Sequence, residues 1–161
     1  MRRGYSLTQI RLHWAVMVLV ALQYLLHEPM SDAFDRLVET GQAQPTALVA
    51  LHVFGGFVIF VLTLVRLAIR RARGAPPPPE GEPELFRLAG IVAHQAFYVF
   101  LIALPVTGAF AWFRGDETAG DIHEILRALL LALIALHVAA VVVHQFVWKT
   151  GVLDRMRHPA E

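Results

Sequence analysis

The chain has 161 residues, of which 57% are apolar and only 17% charged, where a soluble domain carries about 25% charged residues. That excludes a small soluble globule, since roughly 92 apolar residues suffice for four membrane spans of about 20 each. The net charge of +1 removes any nucleic-acid binding built on a basic face, and the absence of cysteine excludes disulfides, iron–sulfur clusters, thiolate ligands and thioether-linked haem. A metal centre would depend on nitrogen or methionine sulfur, and eight histidines are present.

Met1-Arg2-Arg3 ahead of an apolar run has the look of a secretory signal. No A-x-A-like site follows, and the run contains His13 and Trp14, so it reads as an uncleaved first span. Apolar runs at Ile10 to Leu26, Ala47 to Ile69, Leu88 to Phe113 and Ile125 to Trp148 predict one all-α domain over 1–161. The expected fold is a transmembrane four-helix bundle with spans at about 8–27, 46–69, 88–113 and 123–148. Ser6-x-x-Gln9 is a capping box that starts the first helix at Ser6. Ser31 is expected to cap a short interfacial helix presenting Phe34, Leu37 and Val38 on one face. Pro45 suits a first helical turn of the second span, and Asp121 with Glu124 reads as the cap of the fourth. Pro105 removes an amide inside the third span and predicts a kink, while Pro76 to Pro79 read as an extended spacer and nothing more.

Charge asymmetry sets the orientation. Arg2, Arg3, Arg11, Arg66, Arg70, Arg71, Arg73, Arg87, Lys149, Arg155 and Arg157 flank one side, and only Arg36, Arg114 and Arg127 the other. The positive-inside rule then puts both termini and the proline loop in the cytoplasm of a multi-pass inner-membrane protein. The outer side carries Glu28, Asp32, Asp35, Glu39, Asp116, Glu117, Asp121 and Glu124, so that face is acidic.

Ionisable residues inside a span are costly and point to function. His123 and His137 are fourteen residues apart, which returns them to nearly one face of a helix about 21 Å apart. One helix thereby offers imidazoles at two depths, the arrangement that two stacked haems with paired axial histidines require. His13 matches His137 in depth and can share an inner haem with it. For His123 the spacing leaves two partners: His52, followed by Gly55 and Gly56 that leave room for a flat macrocycle, and His27, fourteen residues after His13 but beside a helix-ending Pro29. His94 and His144 lie toward the cytoplasmic side, His144 two turns beyond His137 on the same face. Arg66, Arg70, Arg71 and His94 are candidate partners for haem propionates, and Trp112 and Trp148 read as interfacial belt residues.

Tyr5-Ser6 through Gln9-Ile10 to His13-Trp14, Leu51-His52 with Gly55-Gly56, Val65-Arg66-Leu67, His94 through Tyr98 to Ala103-Leu104-Pro105-Val106 and Gly108, and Leu136-His137 through His144 to Trp148-Lys149 follow one another along nearly the whole chain. Together they resemble the prokaryotic cytochrome b561 family of four-helix dihaem proteins of the inner membrane. The resemblance implies two b-type haems with ligands on the first, second and fourth helices, which selects His52 over His27. One branch of that family, which the chain resembles closely, oxidises superoxide at the outer face and reduces ubiquinone. Other relatives carry electrons between quinone and a separate redox enzyme. The segment between Phe113 and Asp121 is shorter than in the superoxide-oxidising branch, and the acidic face does not attract an anion. Paired axial histidines leave no open iron position, so the chemistry implied is electron relay. His144 and Lys149 are the candidates for the quinone site, where an imidazole can donate to a carbonyl and relay a proton. Two other functions compete: a cytochrome subunit of another redox enzyme, and a histidine-lined proton or metal-ion transporter.

Overall fold

The computed structural model describes residues 4–79 and 82–160; Arg2 and Arg3 lie outside them. Five α-helices follow one another: α1 Leu7–Leu25, α2 His27–Thr40, α3 Ala47–Arg73, α4 Glu84–Arg114 and α5 Glu117–Val142. A π-helical turn, Val143–Val147, prolongs α5, and a short 3₁₀ turn, Asp154–Met156, lies near the C-terminus. Helices α3, α4 and α5 with its π turn are each long and apolar enough to cross a membrane, and α1 qualifies jointly with α2 as a pair bent by 55°.

α1 starts where its capping box requires. The Ser6 hydroxyl accepts from the Gln9 amide at 3.4 Å, and Gln9 Oε1 accepts from the Ser6 amide at 3.0 Å. α3 is capped by Thr46, whose hydroxyl accepts from the Val49 amide, so Pro45 stands just outside the helix rather than in its first turn.

Two starts differ from the sequence expectation. α2 begins at His27, directly after the bend at Leu26, and Ser31 is inside it rather than at its cap. Pro29 is tolerated because the first turn of a helix has no intrahelical use for its amides. The expected inward face is present: Ala33 is buried, Phe34, Leu37 and Val38 are half-buried, and Asp32, Asp35, Arg36 and Glu39 are exposed. Phe34 lies directly over Gly120 of α5, where an added Cβ would come within 2.6 Å of its ring. α5 is capped five residues earlier than expected, because Asp116 accepts from the Ala119 amide at 2.9 Å. Gly115, left-handed at φ 62°, ends α4, so only Gly115 and Asp116 separate two long helices. α4 runs through Pro105 without interruption.

The core is drawn from α1, α3, α4 and α5: Val16, Val20, Ile59, Leu101 and Leu130 are buried together, with Phe97, Phe100, Leu104 and Ile134 packed around them. Both chain ends and the proline loop gather at one end of this bundle. The Ala160 amide donates to the Tyr5 carbonyl, Trp14 Nε1 to the Met156 carbonyl at 2.8 Å, and Gln9 Nε2 to the Gly74 carbonyl at 3.2 Å. Arg155 donates to the Pro77 carbonyl at 2.8 Å. The proline segment is therefore an anchored part of this terminal end, not merely a spacer.

Candidate functional site

The histidines fall into two sets at the two ends of the bundle. Near the terminal end, His13 is about 10 Å along α1 from Ser6, and His94 and His137 are each about 15 Å from the nearer ends of their helices. His13 lies within electrostatic reach of His137, His94 and Arg66. At the far end, His52 is about 9 Å from the Thr46 cap and His123 about 10 Å from the Asp116 cap. Asp121, the cap expected from the sequence, would have put His123 only about 3 Å inside its helix. The true cap makes its depth match that of His52, which lies within electrostatic reach of both His123 and His27.

At the far end, His123 Nδ1 is 2.9 Å from the carbonyl oxygen of Leu104 and 3.3 Å from the Thr107 hydroxyl, both on α4. A carbonyl can only accept, so this contact places the proton on Nδ1 and leaves Nε2 with its lone pair. That tautomer is the one a metal-ligating imidazole adopts. Gly108 makes the approach possible, since a Cβ there would stand 3.0 Å from His123 Cε1 and 3.1 Å from Nδ1. His52 is half-buried, and its Nδ1 has no hydrogen-bond partner among the described residues. The two glycines after it differ in role. Gly55 faces the Gln23 amide of α1, where a Cβ would collide, and Gly56 faces open space.

His27 does not point to the same chemistry. Its Nε2 is 3.3 Å from Glu124 Oε1, whose other oxygen accepts from Arg127 Nε at 2.6 Å. The Tyr24 hydroxyl donates to the Arg127 carbonyl at 2.7 Å. These contacts fasten the α1–α2 bend to α5.

At the terminal end, Arg66 donates to His13 Nδ1 at 3.2 Å. The rings of His94 and His137 meet edge-on with centroids 5.7 Å apart, and Phe97 packs against His137 at 5.4 Å. His94 Nδ1 is 2.6 Å from the Gly90 carbonyl. Arg70 lies 6.0 Å from the centroid of the Tyr98 ring, while Arg71 is exposed.

His144 belongs to the π turn that prolongs α5. Its Nδ1 is 2.8 Å from the Thr150 hydroxyl and its Nε2 3.3 Å from Glu82 Oε1. Trp148 packs between His144 and Phe86, at 4.7 and 5.0 Å between centroids, a tertiary contact beyond an interfacial role. Lys149 is exposed, with a left-handed backbone at φ 53°. Glu82 and Thr150 escaped sequence reasoning, since neither lies in a recognisable pattern.

Imidazoles from four helices, a fixed tautomer at His123, an unpartnered buried nitrogen at His52 and the clearance at Gly108 all fit haem. The fold and these donors fit a membrane cytochrome of the b type. A family model described as prokaryotic cytochrome b561 matches residues 4–159, and the chain belongs to this family of membrane electron-transfer proteins that bind haem b. It is 31% identical over 159 aligned positions to cytochrome b562 of Cereibacter sphaeroides, covering 97% of this chain and 96% of the relative. It is also 31% identical over 178 positions to the probable superoxide oxidase CybB of Yersinia pestis, covering 97% of each. Cytochrome b561 homolog 1 of Escherichia coli is 27% identical over 177 positions, covering 94% and 96%. Membership of a cytochrome family sets aside the transporter reading.

Proposed function

We propose that this cytochrome binds two b haems, one between His13 and His137 and one between His52 and His123, and oxidises superoxide while reducing ubiquinone. The observation that carries the reading is the division of the spanning histidines into sets at matched depths near opposite ends of the bundle. His94 touches His137 ring to ring, so these two form one wall of a site rather than its two faces. Haem, when bound, would supply reversible one-electron transfer. Ligation of His13 through Nε2 would require a proton on Nδ1, the atom to which Arg66 now donates. Arg66 is then free for an anionic acceptor such as a propionate, with Arg70, Arg71 and His94 as further candidates.

The net reaction is two superoxide plus ubiquinone plus two protons, giving two dioxygen and ubiquinol. Superoxide needs no proton to lose its electron, whereas the quinone needs two protons, so the quinone site belongs beside proton-capable groups. His144 and Lys149 are the candidates. The positive-inside rule puts their end in the cytoplasm of the inner membrane and the α2 end outside.

The test combines haem counting with turnover. Detergent-purified protein should contain two haems by pyridine haemochrome, and pulsed superoxide should reduce them and yield ubiquinol. One haem, or none, overturns the ligand assignment. The acidic residues of the far face favour a second reading, in which a cationic protein partner delivers the electrons and this chain serves another redox enzyme.

A further inference from the structure

Glu82, just before α4, is the buried carboxylate that the electron-transfer reading leaves without a task. Its side chain is 7% exposed and that of its partner His144 13%. Such burial of a carboxylate is costly unless it is paired or holds a proton. Both ring nitrogens of His144 are engaged, Nδ1 with Thr150 Oγ1 at 2.8 Å and Nε2 with Glu82 Oε1 at 3.3 Å. The Thr150 hydroxyl is 3.5 Å from the His144 carbonyl and donates to it, so its oxygen accepts from Nδ1–H. With Nδ1 carrying a proton, Nε2 presents a lone pair to the carboxylate 3.3 Å away, so a hydrogen bond between them requires a proton on one of the two.

The surroundings hold this pair in place. Trp148 packs edge-on against the His144 ring, and Phe86 packs on Trp148. The nearest cation on that helix, Arg87, is paired with Glu84 at 3.2 Å and leaves Glu82 to His144. π-helical turns recur at functional sites, and this one brings a titratable ring to a buried acid.

We infer that Glu82 is the proton-loading residue for quinone reduction at this end of the bundle, acting through His144. The inference rests on the proposed reduction of ubiquinone. A quinone carbonyl takes the place of Thr150 as acceptor at Nδ1. As that proton leaves for the carbonyl oxygen, Nε2 takes the proton of Glu82, and the carboxylate reloads from cytoplasmic water. One pass supplies the proton of the carbonyl that faces His144, the opposite carbonyl takes its proton from cytoplasmic water, and two superoxide ions supply the two electrons of ubiquinol. Glu82 is a positioning and supply group, since it touches His144 and not the quinone.

The test uses the holoprotein with a short-chain ubiquinone as acceptor. Glu82→Gln keeps the size and one hydrogen bond but holds no exchangeable acid proton. It should lower kcat for ubiquinol formation by about 100-fold, the range of general acid–base effects. KM for the quinone and superoxide-driven haem reduction should stay unchanged. Glu82→Asp should restore a large part of kcat. An infrared difference spectrum on reduction should contain a carboxylic-acid carbonyl band that Glu82→Gln removes, a readout independent of turnover and available even from a poorly active variant. Unchanged kcat in Glu82→Gln, or a carbonyl band that persists in it, overturns this inference alone. If the wild-type protein reduces no ubiquinone while superoxide still reduces its haems, the quinone reading itself falls and takes the inference with it.

Discussion

The Nδ1 atom of His123 lies 2.9 Å from the carbonyl oxygen of Leu104, across the interface between α5 and α4. The contact orients one imidazole at the far end and assigns its proton, and it exists because Gly108, one turn beyond Leu104, has no side chain. Gly108→Ala should push the ring by a few tenths of an ångström and lower occupancy of one haem, and Gly108→Val should abolish it. Haem per chain and a redox titration would check this, with one of two redox components lost and the other unmoved. Loss of both components, or of neither in Gly108→Val, would contradict the role given to this glycine.

The ligand assignment predicts paired losses. His13→Ala and His137→Ala should remove the same spectral component, and His52→Ala and His123→Ala the other. His27→Ala should keep both haems, because its imidazole is held by Glu124 at the α1–α2 bend. Its effect on stability should be small, about 1 kcal/mol or less for a partly exposed ion pair. If His27→Ala strips a haem that His52→Ala leaves in place, the far-end pair is His27 with His123.

These outcomes bear on what the sequence could disclose. The four apolar runs, the Ser6 box and the fourteen-residue histidine spacing are all local periodicities, and the bundle and the two depths follow from them. The early start of α5 was hidden because Asp116 and Asp121 are both capable caps, and only geometry shows that Asp116 accepts from Ala119. The first turn of α2 was hidden by Pro29, a residue that stops helices but is harmless in a first turn. Nothing in Val-His-Gln-Phe-Val marks a π turn, so the change of pitch at the end of α5 had no sequence signal. The contacts Glu82–His144 and Arg155–Pro77 join segments far apart in the chain, and no single-sequence pattern encodes such pairs.

Thr63 offers a test of packing alone. It is completely buried in α3, at 0% exposure, and its hydroxyl has no partner among the described residues. Thr63→Val replaces an unsatisfied hydroxyl by a methyl of similar size, so it should stabilise the bundle by about 1 kcal/mol. Thermal unfolding in detergent should shift upward with an unchanged haem spectrum; a downward shift would mean that the hydroxyl has a partner in the holoprotein.

The electron donor can be identified from the sign of the salt dependence. On the far face Asp32, Asp35, Glu39, Asp116, Glu117 and Asp121 are exposed, with only Arg36 and Arg114 among the exposed cations there. An anion approaching that surface is repelled, and added salt screens the repulsion over a Debye length of about 8 Å at physiological ionic strength. If superoxide is the donor, the rate of haem reduction should therefore rise as salt increases from about 10 to about 150 mM. Neutralising part of the surface with Asp116→Asn and Glu117→Gln should raise the low-salt rate and flatten the salt dependence. A cationic partner protein predicts the opposite, since attraction accelerates encounter and salt removes it. Stopped-flow haem reduction at several salt concentrations reads this sign directly. Reduction by superoxide no faster than spontaneous dismutation allows, beside rapid and salt-sensitive reduction by a basic periplasmic protein, would make this cytochrome the electron-transfer subunit of another system.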